Sequence, residues 1–268
     1  MADPAAPTQK EEAPWTHARL AADPHQDPEK ARRVREMFAA IAASYDLNNR
    51  LHSFGLDQSW RRRTVREVER RLTRGDLRGV RVLDVACGTG DLSEAFADRG
   101  AEVTGLDFTP PMLDIARTKA AGRRRAAGTP PTYAHGDATR LDRPDACVDV
   151  VSIAFGLRNV GDVASAMREF HRVLRPGGVL AVLEFGLPAW QPARFFHRLY
   201  TERIMPFTAT LVARDRSGAY RYLPRSVDTF LSPEGVAQAA EAAGFGQVRT
   251  RRLTFGTCAV TTALRGSV

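Results

Sequence analysis

The chain has few cysteines, no paired metal ligands and no long apolar run, and each absence closes off a class of protein. Cys87, Cys147 and Cys258 lie far apart with no Cys-x-x-Cys spacing, which argues against a disulfide framework and a thiolate zinc site. The histidines form no His-x-x-x-His pair, so no metal is expected. No window approaches the roughly 18 uncharged apolar residues needed to cross a bilayer. The N-terminal stretch is rich in Pro, Asp and Glu and lacks the apolar segment of a secretory signal. A reducing, cytosolic setting is expected, with the protein soluble or peripheral to a membrane.

What is present suits one α/β domain with appendages: 268 residues, 43% of them hydrophobic. The net charge of +8 has two functional readings, attraction to nucleic acid or to an anionic membrane surface. The plainer reading, arginine used on solvated faces, is favoured because the arginines are spread along the whole chain.

The organising stretch is Val82 to Ser93. A short apolar run, Arg81 to Val85, predicts a buried strand; Cys87-Gly88-Thr89-Gly90 supplies a tight turn; Leu92, Ala95 and Phe96 then recur at helical spacing. Glycines suit such a turn because a ligand can lie against backbone that carries no Cβ. A dinucleotide site wants a third glycine where this chain has Ser93, so a nucleoside without a pyrophosphate fits better, and S-adenosylmethionine (SAM) is the candidate.

Residues 1–28 carry many prolines and few large apolar side chains, predicting a disordered tail. Val34, Met37, Phe38 and Ile41 then mark an amphipathic helix that either covers the domain or rests on a membrane. Ser44 to Asn49 breaks it, and Val65, Val68 and Leu72 mark another, so residues 29–74 form a helical cap. A second strand ends at Asp107, about 20 residues after the glycine turn, where nucleotide-binding sheets grip ribose hydroxyls. The alternative, that Asp107 caps the next helix, is disfavoured because Thr109-Pro110 already supplies a helix start. Gly136-Asp137-Ala138 ends a third strand, where Asp137 and the Ala138 N–H suit an adenine. Val148 to Ala154 predicts a doubly buried strand, followed by Phe155 to Val160, a helix ending at Arg175-Pro176-Gly177-Gly178, and a fifth strand, Val179 to Phe185. Residues 188–224 mix aromatics with arginine and predict a lid over a greasy substrate. A capped helix from Ser232 and two closing strands complete the chain.

Six blocks carry a resemblance: Tyr45-Asp46-x-Asn48, Trp60-Arg61, Asp84 to Asp91, Phe155-Gly156-Leu157-Arg158-Asn159-Val160, Arg172 to Gly178, and Leu183-Glu184-Phe185 followed by Pro188. The chain resembles the C-methyltransferases of menaquinone and ubiquinone biosynthesis, from about Val34 to Leu264. The resemblance implies a class I SAM-dependent methyltransferase fold, Rossmann-like, with a mostly parallel seven-stranded sheet and a C-terminal antiparallel hairpin in a single domain over 29–268. It implies a SAM site at Asp84, Gly88, Thr89, Gly90, Asp107, Phe108, Asp137 and Ala138, with Tyr45 and Asp46 closing over the methionine end. Two positions depart from the pattern, Ala86 in the turn and Ala154 at the end of strand four.

The implied reaction is methylation of a ring carbon on a polyprenylated quinol. Carbon attacks only once the adjacent hydroxyl is ionised, so the site needs a cation for the oxyanion and a route for the proton. Arg158 is expected to hold the quinolate and Asn159 a water, the alternative being a salt bridge in which Arg158 fixes its loop. His52 is the other conceivable base, and a lone histidine is more often structural. The implied partners are the quinol and, transiently, the inner face of the cytoplasmic membrane, with no nucleic acid. Naphthoquinol and benzoquinol substrates are both compatible, and assembly is open, a homodimer included. The rivals are an RNA methyltransferase and a non-catalytic SAM-binding subunit.

Overall fold

The computed structural model describes residues 13–73, 75–124, 128–188, 190–199 and 217–266. Seven strands form one sheet: β1 (Arg81–Val85), β2 (Glu102–Asp107), β3 (Thr132–His135), β4 (Val148–Ala154), β5 (Leu174–Phe185), β6 (Phe245–Leu253) and β7 (Cys258–Arg265), in the order β3-β2-β1-β4-β5-β7-β6. β1 to β5 run parallel, whereas β7 is antiparallel to β5 and β6 to β7, as expected. The alternation of strand side chains splits the core in two. Leu83, Val85, Val151, Ile153, Leu180 and Val182 pack with Met167 and Phe170 of the helix Val163–Val173. On the other face Val82, Val150, Val179 and Ala181 meet Phe96, Val65 and Val68. Strand order reverses between β1 and β4, and a parallel sheet leaves its ligand crevice at the carboxyl ends beside such a reversal.

Ten helices longer than one turn are present among the described residues. They are α1 (His17–Ala21), α2 (Lys30–Ile41), α3 (Tyr45–His52), α4 (Leu56–Arg71), α5 (Asp91–Ala97), α6 (Pro110–Gly122), α7 (Val163–Val173), α8 (Gln191–Leu199), α9 (Ala219–Asp228) and α10 (Pro233–Ala242). The segment Tyr45 to Asn49, expected as a break, is itself helical, joined to α2 by one 3-10 turn.

The expected tail is part of the fold from residue 13 onward. Trp15 is fully buried, its ring stacked on Tyr222 with centroids 4.6 Å apart, and its backbone N–H donates to the Ser217 carbonyl. Gly218 permits this approach, because a Cβ there would stand 2.2 Å from the Trp15 oxygen. Composition misled here because a single tryptophan can anchor a polar segment. Lys30 adds a second tie: its buried Nζ donates to the Val160 carbonyl and meets His25 Nδ1 at 3.0 Å, and burial pushes its pKa down to about 8.

Of the expected lid, residues 188–224, positions 189 and 200–216 lie outside the described residues. Tyr220 and Tyr222 are buried with Trp15, Val34, Met37 and Ile41 beneath α2, and both line the second cavity described below. Trp15→Ala is expected to cost about 3–5 kcal/mol of unfolding free energy, the range for emptying a large buried aromatic site. Urea denaturation of the full chain checks this, and a loss below about 1 kcal/mol would mean that the segment is a loose strap.

Candidate active site

The glycine turn is shaped by one carboxylate. Asp107, at the tip of β2, accepts from the Gly88 N–H through Oδ2 and from the Thr109 N–H through Oδ1, both at 2.8 Å. The capping role judged unlikely for Asp107 is therefore real. Thr109 makes no side-chain cap bond, and Asp107 ties the turn after β1 to the start of α6. Burial raises its pKa, the two N–H bonds opposing that shift. Each oxygen keeps lone-pair capacity, so the same carboxylate can still accept from a ligand hydroxyl. Gly90 sits at φ +85°, and a Cβ there would come within 2.3 Å of the Tyr133 hydroxyl. Ala86 takes φ +51°, a conformation that costs a non-glycine residue about 1 kcal/mol. Gly156 is needed opposite it, because a Cβ there would stand 2.7 Å from the Ala86 methyl.

The third glycine's place is used differently. Ser93 Oγ donates to Asp84 Oδ2 at 2.6 Å and Ser152 Oγ donates to Asp84 Oδ1 at 2.7 Å. Asp84 is thus satisfied inside the protein, and burial raises its pKa to about 6 despite both serines. It supports the turn from below and lines neither of the two cavities described next.

Two cavities open at the carboxyl ends of the strands. The first, about 570 Å3, is lined by Ala86, Gly88, Asp107, Phe108, Asp137, Ala138, Ala154 and Asn159, with Phe38 and Tyr45 above. The second, about 250 Å3, is lined by Met37, Ile41, His52, Trp60, Arg158, Phe185, Tyr220 and Tyr222. Phe38, Tyr45 and Phe155 belong to both, so the cavities meet at an aromatic wall. Its rings are mutually packed: Phe38 meets Tyr45 edge-on at 5.8 Å, and Phe155 packs on Phe185 at 4.5 Å.

Of the expected SAM residues, Gly88, Asp107, Phe108, Asp137, Ala138 and Tyr45 line the first cavity. Thr89, Gly90 and Asp84 do not. Thr89 Oγ1 instead donates to Asp46, and Lys119 Nζ bridges Asp46 and Asp91. This latch holds α3 over the glycine turn, which corrects the expectation that Asp46 reaches toward a ligand. Asp137 is exposed, and its Oδ1 accepts from the Thr139 N–H and hydroxyl. Size, glycine cradle and the unsaturated carboxylate at Asp107 fit an adenosyl-sized ligand.

Arg158 and Asn159 are separated by the wall. Arg158 lines the second cavity; Nη1 donates to Glu184 Oε1 at 2.9 Å and to the Phe155 carbonyl, and its guanidinium lies 5.2 Å from the Phe185 ring centroid. The loop-fixing salt bridge weighed as an alternative is present, and its Nε is buried without a hydrogen-bond partner. Asn159 lines the first cavity and not the second, so it does not stand in the acceptor pocket beside Arg158 as expected. Its Oδ1 accepts from the Tyr222 hydroxyl at 3.0 Å and its Nδ2 donates to the Phe155 carbonyl at 3.2 Å. Tyr222 belongs to Tyr220-Arg221-Tyr222-Leu223, a block that matches the family's pattern, but the sequence assigned it no role at the site. His52, in contrast, does line the acceptor cavity, with burial pushing its pKa below 6.5. Cys87 and Cys258, both with thiols pushed up by burial, offer no thiolate nucleophile.

Strand order, glycine turn and carboxylate together define a class I SAM-dependent methyltransferase fold. A solved SAM-dependent methyltransferase from Thermotoga maritima, titled a possible histamine N-methyltransferase, shares that fold at a TM-score of 0.61 and 16% identity, covering 87% of this chain and 99% of its own. The ubiE/COQ5 methyltransferase family matches residues 26–265, and the chain belongs to that family. It is 46% identical to the demethylmenaquinone methyltransferase of Thermus thermophilus over 84% of this chain and 97% of that one. It is 38% identical to the ubiquinone/menaquinone biosynthesis C-methyltransferase UbiE of Geobacter sulfurreducens, over 89% and 90% of the two chains. The cofactor is SAM.

Two outcomes test the site. Asp84 has a folded pKa of about 6 against an ordinary 3.8, so the folded state binds more protons between those values and stability falls as pH rises through that window. Asp84→Asn should flatten that part of the Tm-against-pH curve. Tyr222→Phe removes the donor to Asn159 and should cost about 1–3 kcal/mol in stability by leaving a buried amide oxygen unpaired, read by thermal unfolding.

Proposed function

We propose that the chain methylates a ring carbon of a demethylated polyprenylated quinol, with demethylmenaquinol as the acceptor and the benzoquinol of ubiquinone biosynthesis as the alternative. The names of the relatives favour the naphthoquinol, since the Thermus protein is a demethylmenaquinone methyltransferase. The observation that carries the reading is the junction of two cavities, a glycine-and-carboxylate cradle on one side and an aromatic pocket with a buried arginine on the other. When bound in the cradle, SAM supplies an electrophilic methyl group.

The aromatic pocket takes the quinol ring between Trp60, Phe155 and Phe185 and excludes water from it. Arg158 stands at the oxygen that must become anionic; being permanently protonated, it stabilises the quinolate and does not accept the proton. Glu184 keeps that guanidinium oriented. Asn159, clamped by Tyr222, retains a second amide proton for a water at the donor side. A polyprenyl tail lives in a bilayer, so the enzyme works at the inner face of the cytoplasmic membrane and needs no nucleic acid. No described helix is long and apolar enough to cross that membrane.

The direct test is transfer of labelled methyl from SAM to chemically reduced demethylmenaquinone, run beside the benzoquinol precursor. Product from the first alone is expected; product from neither would leave a SAM-binding subunit. Arg158→Lys keeps a charge beside Glu184 but loses the planar fork. It should lower kcat by about 10²-fold while SAM affinity, read by calorimetry, changes less than about threefold. Arg158→Ala is the poorer probe, because stranding Glu184 costs about 3–5 kcal/mol by itself.

A further inference from the structure

We propose that Arg61 is a second cation of the acceptor pocket, holding the ring oxygen para to the one held by Arg158, so that the pair selects rings with two oxygens over rings with one. The proposal rests on the functional reading above for the identity of the ring. Arg61 comes from α4 and Arg158 from the loop after β4, and both line the second cavity. Each lies against one ring of the packed aromatic pair in its wall. The Arg61 guanidinium is 5.3 Å from the Phe155 centroid, and that of Arg158 is 5.2 Å from the Phe185 centroid. Phe155 and Phe185 are themselves 4.5 Å apart, so the two cations border one aromatic wall.

Arg61 is built into the pocket as Arg158 is. It is 6% exposed against 5% for Arg158, and each is oriented by a buried carboxylate. Asp57 Oδ2 accepts from Arg61 Nη1 at 2.8 Å, as Glu184 Oε1 accepts from Arg158 Nη1 at 2.9 Å. Asp57 is fixed in turn by the Ser53 hydroxyl at 3.0 Å and the Gln58 amide at 3.1 Å. A guanidinium carries five N–H donors. Among the described residues Arg61 uses one of them, toward Asp57. None of its nitrogens is sealed away without a partner, so the remaining N–H groups open to the cavity that the side chain lines. Arg61 belongs to one of the blocks that carry the family resemblance, with no role assigned there.

The doubling of the cation selects the ligand. Taking a second ion pair out of water carries a desolvation penalty that a purely apolar ligand does nothing to offset. A ring with one oxygen engages one guanidinium and leaves the other desolvated with its donors unused. A ring with oxygens on opposite edges engages both. The two charges also reach the place where such a ring must react, the junction of the cavities, which Tyr45 marks by lining both. Burial raises the pKa of the Tyr45 phenol, and Arg61 and Arg158 both oppose that shift. A phenolic ligand beside Tyr45 therefore meets the field of two cations.

The test compares two acceptors with short prenyl chains: the demethylated naphthoquinol, and the naphthol that lacks the hydroxyl para to the activating oxygen. That hydroxyl is meta to the reacting carbon, so its loss leaves the ring's own reactivity almost unchanged. The wild-type protein should favour the quinol by about 10- to 100-fold in kcat/KM, the range for a hydrogen bond to a charged group. The double variant D57N/R61M removes both members of the ion pair, so no buried charge is stranded. It should bring the two acceptors within about threefold of each other by losing the quinol's advantage, with turnover of the naphthol kept within about threefold of wild type. Equal turnover of both acceptors by the wild type, or a preference that survives in D57N/R61M, overturns the proposal. A variant that loses both acceptors alike would make Arg61 a structural residue and overturn it too. Calorimetry with the same two ligands separates the proposal from the reading on which it rests. Tighter binding of the quinol that is lost in D57N/R61M, with neither ring methylated by the wild type, would refute that reading and leave the second cation standing. Neither methylation nor that difference in binding would overturn both.

Discussion

The site depends on the two N–H groups that converge on Asp107. A buried carboxylate is costly unless paired or hydrogen-bonded, and here the compensation comes from Gly88 and Thr109, one on each side of the crevice. The bond to Gly88 holds the turn after β1 open, and the bond to Thr109 sets where α6 begins. Because the carboxylate spans both, the cradle is formed before any ligand arrives, and the remaining lone pairs face the cavity.

Over this cradle the chain adds a second layer that no parallel sheet requires. α3 is latched to the turn by Lys119 between Asp46 and Asp91, a partly buried arrangement that gains more than an exposed pair, worth about 0–1 kcal/mol. α2 is held by Lys30 on the Val160 carbonyl, and α9 by the stacking of Tyr222 on Trp15. The hydroxyl of that same Tyr222 reaches Asn159. The N-terminal segment therefore supports the loop that carries Arg158, although the two are far apart in the chain.

The departures from expectation share a cause. Asp84, Thr89 and Asp46 belong to blocks that resemble those of a methyltransferase, yet their polar atoms are consumed by Ser93, Ser152 and Lys119. A motif names the neighbourhood of a ligand, while hydrogen-bond partners decide which members face it. Arg158 makes the same point: the salt bridge and the catalytic reading are compatible, because pairing with Glu184 is what holds the guanidinium at the cavity wall.

Hydrophobic periodicity and turn chemistry are local, so the sequence alone determined the strand–turn–helix units, the parallel sheet with its closing hairpin, and the glycine cradle with Asp107 beyond it. It also carried the family through blocks such as Phe155 to Val160. Only the tertiary structure decided that Trp15 is core, that Tyr222 grips Asn159, and that Arg158 and Asn159 stand on opposite sides of an aromatic wall. Those relations join residues up to some 200 positions apart, such as Trp15 with Ser217. No short window contains both partners of the Trp15 and Tyr222 contacts, and even the split between the adjacent Arg158 and Asn159 exists only once the sheet has brought its carboxyl ends together under α2 and α3.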